Sequence, residues 1–71
     1  MTNTTEKRGH GSPHDRGRAD SYYGRLYAPH YWPEGTGRGL AVGYADMTDE
    51  QVKEYYTGFY ENEAANNFKD W

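Results

Sequence analysis

Apolar positions in this chain fall into two stripes of helical period, separated by a stretch with no sustained period. In the later stripe Val52, Tyr55, Tyr56, Phe59, Tyr60 and Glu63 share one side of a helix, and Glu50, Lys53, Glu54 and Glu61 fill the polar remainder. Its start is well marked. Thr48 is placed to cap, Gln51 three residues on completes a capping box, and Met47 can staple onto Val52. Asp49 and Glu50 suit the positive end of the helix dipole, and Asn66-Asn67 suits its C-terminal cap. Gly58 flanks the stripe, where it would admit a neighbouring backbone.

The earlier stripe is Ala19, Tyr22, Tyr23, Leu26 and Tyr27, with Asp15 as its cap and Pro29 as its stop. Gly17 and Gly24 fall on the opposite side and weaken the helix by about 1 kcal/mol each relative to Ala. A helix of that quality has to dock on something to persist. The expectation is that the two aromatic stripes face each other as the core, in an antiparallel or crossed pair.

Between the stripes, Pro29-His30-Tyr31-Trp32-Pro33 reads as extended, because residues that precede proline avoid the α region. Gly35-Thr36-Gly37-Arg38-Gly39 reads as a turn; it lacks the Gly-Lys-Ser/Thr ending of a phosphate loop. Leu40 to Tyr44 has strand character without an evident partner, and an irregular stretch of this length points to further ordered structure within it. Residues 1–14 contain no large apolar side chain after Met1 and read as a disordered tail. The expected fold is mainly α: two short helices, about 15–27 and 48–65, joined by an irregular Pro/Gly-rich segment. A single small helical domain over 15–71 would follow the tail.

Composition sharpens that picture. Twelve of 71 residues are aromatic, all of them after Ser21, while Leu26, Leu40, Val42 and Val52 are the only Leu, Ile or Val. There is no Cys, so neither disulfides nor thiolate zinc sites are open to it, and a reducing compartment suits it. No apolar run approaches a membrane span or the core of an export signal. The core must be built from rings, and there are more rings than two helices can hide. Tyr31, Trp32, Tyr44, Phe68 and Trp71 lie outside both stripes. A surplus of exposed rings marks an interface, and a homodimer is the simplest way to cover it.

Charge is unevenly spread. Residues 1–18 carry Lys7, Arg8, Arg16 and Arg18 against Glu6 and Asp15, whereas residues 46–71 carry seven carboxylates against Lys53 and Lys69. A net charge of −3 argues against indiscriminate nucleic-acid binding, which needs a dense basic surface. An acidic aromatic surface suits a basic protein patch better.

Catalytic chemistry is hard to find. His10 and His14 have the spacing of a helical metal pair but no accompanying ligand set, and they read as solvated side chains. His30, between Pro29 and two rings, reads as a packed hydrogen-bonding residue. Ser12 and Ser21 have no evident oriented base, and Glu50 with Glu54 sits on an exposed helix face rather than in a cleft. No enzyme and no cofactor are expected.

Arg16 to Arg25 (RGRADSYYGR), Pro29-His30-Tyr31, Thr48 to Glu63 and the ending Asn67-Phe68-Lys69-Asp70-Trp71 resemble small accessory proteins of tailed bacteriophages. That resemblance covers about residues 15–71. It implies a bacterial cytoplasm during infection and a host-directed role. A fainter similarity is to the bacterial ribosome modulation factor, carried by Arg16-Gly17, Ala19, Gly24-Arg25, Pro29 to Trp32 and Tyr56-Thr57-Gly58-Phe59. That family is helical, basic and binds ribosomal RNA; for this acidic chain it implies the two-helix scaffold at most.

The leading expectation is therefore a non-enzymatic modulator, a phage product that binds and occludes a host protein. Trp32, Tyr55, Tyr56, Phe59, Tyr60 and Trp71 would supply packing or contact, with Glu54 and Glu61 at the margin. The alternative is a ribosome or RNA binder using Arg16, Arg18, Arg25 and Arg38, with Tyr22, Tyr23, Tyr31 and Trp32 as stacking platforms. A homo-oligomer without a host target is the third reading.

Overall fold

A computed structural model describes residues 11–70; the tail over residues 1–10 and the expected contact Trp71 lie outside the described residues. Two helices carry the fold: α1, Pro13–Tyr22, and α2, Asp49–Ala65. Between them lie β1 (His30–Tyr31), β2 (Val42–Gly43) and a 3₁₀ turn over Tyr44–Asp46. β1 and β2 pair antiparallel, with His30 opposite Gly43 and Tyr31 opposite Val42. The extended Pro29–Pro33 segment is thus the missing partner of the Leu40–Tyr44 strand, which is itself only two residues long.

α2 forms as its sequence dictates. The Thr48 hydroxyl accepts from the Gln51 amide at 3.1 Å, and the Gln51 side chain accepts from the Thr48 amide at 2.9 Å. Asn66 ends the helix in the left-handed region, φ 58°, with its amide turned back to the Asn62 and Glu63 carbonyls.

α1 departs from expectation at both ends. It starts at Pro13, with Ser12 as the N-cap, the Ser12 hydroxyl accepting from the Asp15 amide at 3.2 Å. The Asp15 carboxylate reaches back to the Gly11 amide at 3.1 Å. This is a capping arrangement with proline at the first helical position, where a missing N–H costs nothing. Residues 11–14 therefore belong to the folded unit and not to the tail. The helix ends at Tyr22, followed by Gly24 at φ +71°, well before Pro29.

The core is not a pair of facing aromatic stripes. α1 buries Pro13, His14, Arg16, Gly17, Asp20 and Ser21, which is a small and polar face, and leaves Tyr23, Leu26 and Tyr27 beyond its end and exposed. Gly17 lies at the helix crossing, opposite to its expected side. A Cβ added there would meet the Tyr55 carbonyl and, at 2.8 Å, the Phe59 amide; one added at Gly58 would meet the His14 carbonyl. Two glycines thus let the backbones of α1 and α2 touch, as the flanking position of Gly58 anticipated.

Around that crossing the interface is hydrogen-bonded as much as it is apolar. Tyr55, fully buried, donates its hydroxyl to the Asp20 carboxylate and accepts from the Ala28 amide at 3.2 Å. Asn62 donates to the Ser21 hydroxyl at 2.9 Å and to the Asn67 carbonyl at 2.8 Å, while Ser21 donates to Glu63 at 2.8 Å. The Lys69 amide donates to the Tyr22 carbonyl at 2.8 Å, so the chain after α2 is also laid against α1. Each polar group buried at the crossing would be expensive without such partners.

Candidate functional site

Two regions compete as functional sites: the buried cluster around Asp20 and the exposed tyrosines beside α2. Asp20 sits on the inner face of α1 and is almost wholly buried. Around its carboxylate are the Tyr55 hydroxyl, Arg25 at 3.4 Å, His30 at 3.8 Å and Arg16 at 3.9 Å. His30 also bonds through Nδ1 to the Ala28 carbonyl at 2.9 Å, and its ring lies 5.8 Å from that of Tyr55. It is the packed hydrogen-bonding histidine expected from its neighbours. The phenol pKa of Tyr55 is raised by burial and by its bond to Asp20. These groups pair with one another and join α1, the turn after it, β1 and α2; the cluster is a structural tie.

Several sequence-predicted site residues belong to this interior. Tyr55 and Phe59 are core side chains and offer no surface to a partner. Arg16 is buried as well, bonded to the Thr36 hydroxyl at 3.3 Å and flanked by Asp15 and Asp20, which removes it from an RNA-binding surface. Its Nε has no partner among the described residues. His14, expected to be solvated, is buried and pairs with Glu61 at 3.1 Å, so one carboxylate of the expected margin is engaged within the fold. Arg25 is paired with Asp20 and lies 4.9 Å from the centre of the Tyr23 ring. Arg18 and Arg38 are exposed, Trp32 is half-buried with its amide on the Gly11 carbonyl at 2.7 Å, and Tyr31 accepts from Gln51 at 3.1 Å. Tyr22 and Glu54 are also half-buried. Among the described residues no three His, Cys, Asp or Glu side chains converge as a metal ion would require.

The exposed region is built by α2 and the turn that follows α1. Tyr56 and Tyr60, one helical turn apart, have ring centres 4.7 Å from each other and are 54% and 45% exposed. Tyr27 folds down beside them. Its ring makes edge contacts with Tyr55 at 5.3 Å, Phe59 at 5.2 Å and Tyr56 at 6.3 Å, and lies 5.9 Å from Tyr60. Offset and edge-on geometry of this kind is what ring quadrupoles favour. The Tyr27 phenol pKa is raised, first by burial and then by the nearby phenols of Tyr60, Tyr56 and Tyr44. Tyr44 is itself 66% exposed. Tyr27, Tyr56 and Tyr60 therefore meet on one side of the molecule, above the buried Tyr55 and Phe59, with Tyr44 close enough to act on the Tyr27 phenol.

Sequence reasoning singled out Tyr56 and Tyr60 and missed Tyr27 and Tyr44 as members of this surface. Tyr27 was assigned to a helix stripe that ends five residues earlier. Tyr44 carried only the signal of lying outside both stripes.

No protein-family model, curated protein or solved structure matches the chain. No helix among the described residues is long and apolar enough to cross a membrane.

Proposed function

We propose that this chain is a small, non-enzymatic protein-binding module that docks through the tyrosine surface of Tyr27, Tyr44, Tyr56 and Tyr60. One observation carries the reading: the phenol rings of Tyr27, Tyr44, Tyr56 and Tyr60 stay substantially exposed, while two rings are buried among the described residues. Tyrosine buries a large area on binding while ordering few torsions, and keeps a hydroxyl for a directed bond. The rings beneath hold the exposed ones in place, so little order has to be created on association. In the setting that the sequence resemblance implies, the partner is a host protein and the result of docking is its occlusion. The RNA-binding alternative keeps Arg18 and Arg38 as its exposed cations, since Arg16 and Arg25 are committed within the fold.

The test is capture from a bacterial lysate at low and moderate salt, using the tagged full chain and a Tyr56→Ala, Tyr60→Ala double variant with an unchanged circular dichroism spectrum. A protein retained at both salts by the parent and lost by the variant is the expected result. Ribosomal protein and RNA that wash off with salt, or identical capture by both chains, would overturn the reading.

A further inference from the structure

Resting on that reading, we infer that the tyrosine surface takes an arginine-bearing basic segment of its partner, a guanidinium group lying against the phenol rings. Three observations converge on this chemistry. The first is electrostatic. The second half of the chain presents Asp46, Asp49, Glu50, Glu61, Glu63 and Asp70 as exposed carboxylates, Glu61 paired with His14 and Glu63 bonded to Ser21, against Lys53 as the exposed cation. Asp49, Lys53, Tyr56, Tyr60 and Glu63 fall on a single side of α2, so carboxylates lie at both ends of the tyrosine pair with one lysine between them. A partner with the opposite charge is steered to that surface and held in register on it.

The second observation is that this protein already makes the contact once within itself. The Arg25 guanidinium lies 4.9 Å from the centre of the Tyr23 ring while pairing with Asp20 at 3.4 Å. A tyrosine face beside a carboxylate is therefore a working guanidinium seat in this fold. The larger surface repeats the ingredients with four rings in place of one. Guanidinium is the better occupant than ammonium, because it is planar, weakly hydrated and able to stack while its N–H groups reach a carboxylate or phenol oxygen.

The third observation concerns the competing occupant, a second copy. A symmetric dimer brings the same patch against itself. Two copies carry the same net charge of −3 and repel each other, whereas a basic segment is attracted. Charge therefore favours a basic partner over self-association on this face.

The test titrates the full chain, its tyrosine rings ¹³C-labelled, with a short peptide of two arginines flanked by glycine and leucine. The comparison peptide carries citrulline at both positions, which keeps the shape and removes the charge. The arginine peptide should shift the ring signals of Tyr27, Tyr44, Tyr56 and Tyr60, and the citrulline peptide should bind roughly tenfold more weakly. In a Tyr56→Leu, Tyr60→Leu variant, which keeps apolar area but loses two rings, that preference should fall to about twofold or less. Equal binding of both peptides to the rings would overturn the guanidinium inference and leave the docking surface intact. An undiminished arginine preference in the leucine variant would overturn it by assigning the contact to carboxylates alone. Ring signals that move with protein concentration and ignore both peptides would assign the face to a second copy. Failure of the docking reading itself is read separately, in the lysate capture.

Discussion

Replacing Gly17 with alanine tests the central packing claim, that α1 and α2 are held backbone to backbone. The added methyl would sit against the Tyr55 carbonyl and the Phe59 amide, well inside the 3.0 Å that real Cβ contacts keep. Neither neighbour is the end of a flexible side chain, so relief requires the helices to part by on the order of 1 Å, and overpacking of this kind costs about 3 kcal/mol at its upper range. The separation also stretches bonds that span the crossing, Tyr55 to Asp20 and Asn62 to Ser21, adding about 1 kcal/mol for each one weakened. Alanine returns about 1 kcal/mol through its better helix propensity. The expected net loss is about 4 kcal/mol, a large part of the total stability available to so small a domain. Gly58→Ala, which presses on the His14 carbonyl, should lose a similar amount. The double variant should lose less than the two together, because the first methyl has already opened the crossing. Gly43→Ala, with no atom within 4 Å of the new methyl, is the control and should stay within about 0.5 kcal/mol of the parent. Urea denaturation followed by far-ultraviolet circular dichroism measures all four. Stability of Gly17→Ala equal to or above the parent would refute the backbone contact.

Tyr55→Phe should lose about 2 kcal/mol at neutral pH, since it leaves the buried Asp20 carboxylate short of a donor. The same variant tests the raised Tyr55 pKa. In the unfolded chain that phenol releases its proton near pH 10, whereas in the fold it keeps it. The stabilisation is thus complete below pH 10 and is lost above it by about 1.4 kcal/mol per pH unit. Denaturation from pH 9 to 11.5 should show a shallower decline in Tyr55→Phe, with the remaining slope due in part to Tyr27. Thr48→Ala removes half of the capping box and should cost about 1 kcal/mol, seen as a lower urea midpoint with an unchanged slope. Asn66→Gly should be neutral or stabilising by up to about 1 kcal/mol, and Asn66→Ala destabilising by about 1 kcal/mol, because only the first accepts φ 58° freely.

How far the sequence disclosed this fold differs sharply between the helices. α2 was legible because its signals are local: Thr48 and Gln51 satisfy each other within one turn, and Asn66 tolerates the left-handed stop. α1 was not, because periodicity of apolar residues assumes that the buried face is the greasy one. Here the buried face is valued for what Gly17 lacks, and for the hydroxyl and carboxylate that Ser21 and Asp20 supply to Asn62 and Tyr55. Its start signal, Ser12-Pro13 followed by Asp15, lies in a polar stretch that carries no apolar period. Of the candidate surface, Tyr56 and Tyr60 could be read from a helix whose bounds were right. Tyr27 and Tyr44 reach it only through the turn after Tyr22 and the strand pair, which no short-range pattern encodes.

The route by which α1 finds its partners has a consequence for synthesis. His14, Gly17, Asp20 and Ser21 bond or pack against residues from Tyr55 to Glu63, and Tyr22 accepts from Lys69. As the chain leaves the ribosome, the first helix emerges with every stabilising neighbour still unmade. It cannot persist alone at ten residues, so the nascent chain stays open until α2 is complete and then closes in a single step. A stop codon placed within α2 should therefore yield no partly folded remnant but an unstructured peptide, open to proteases from the moment of release.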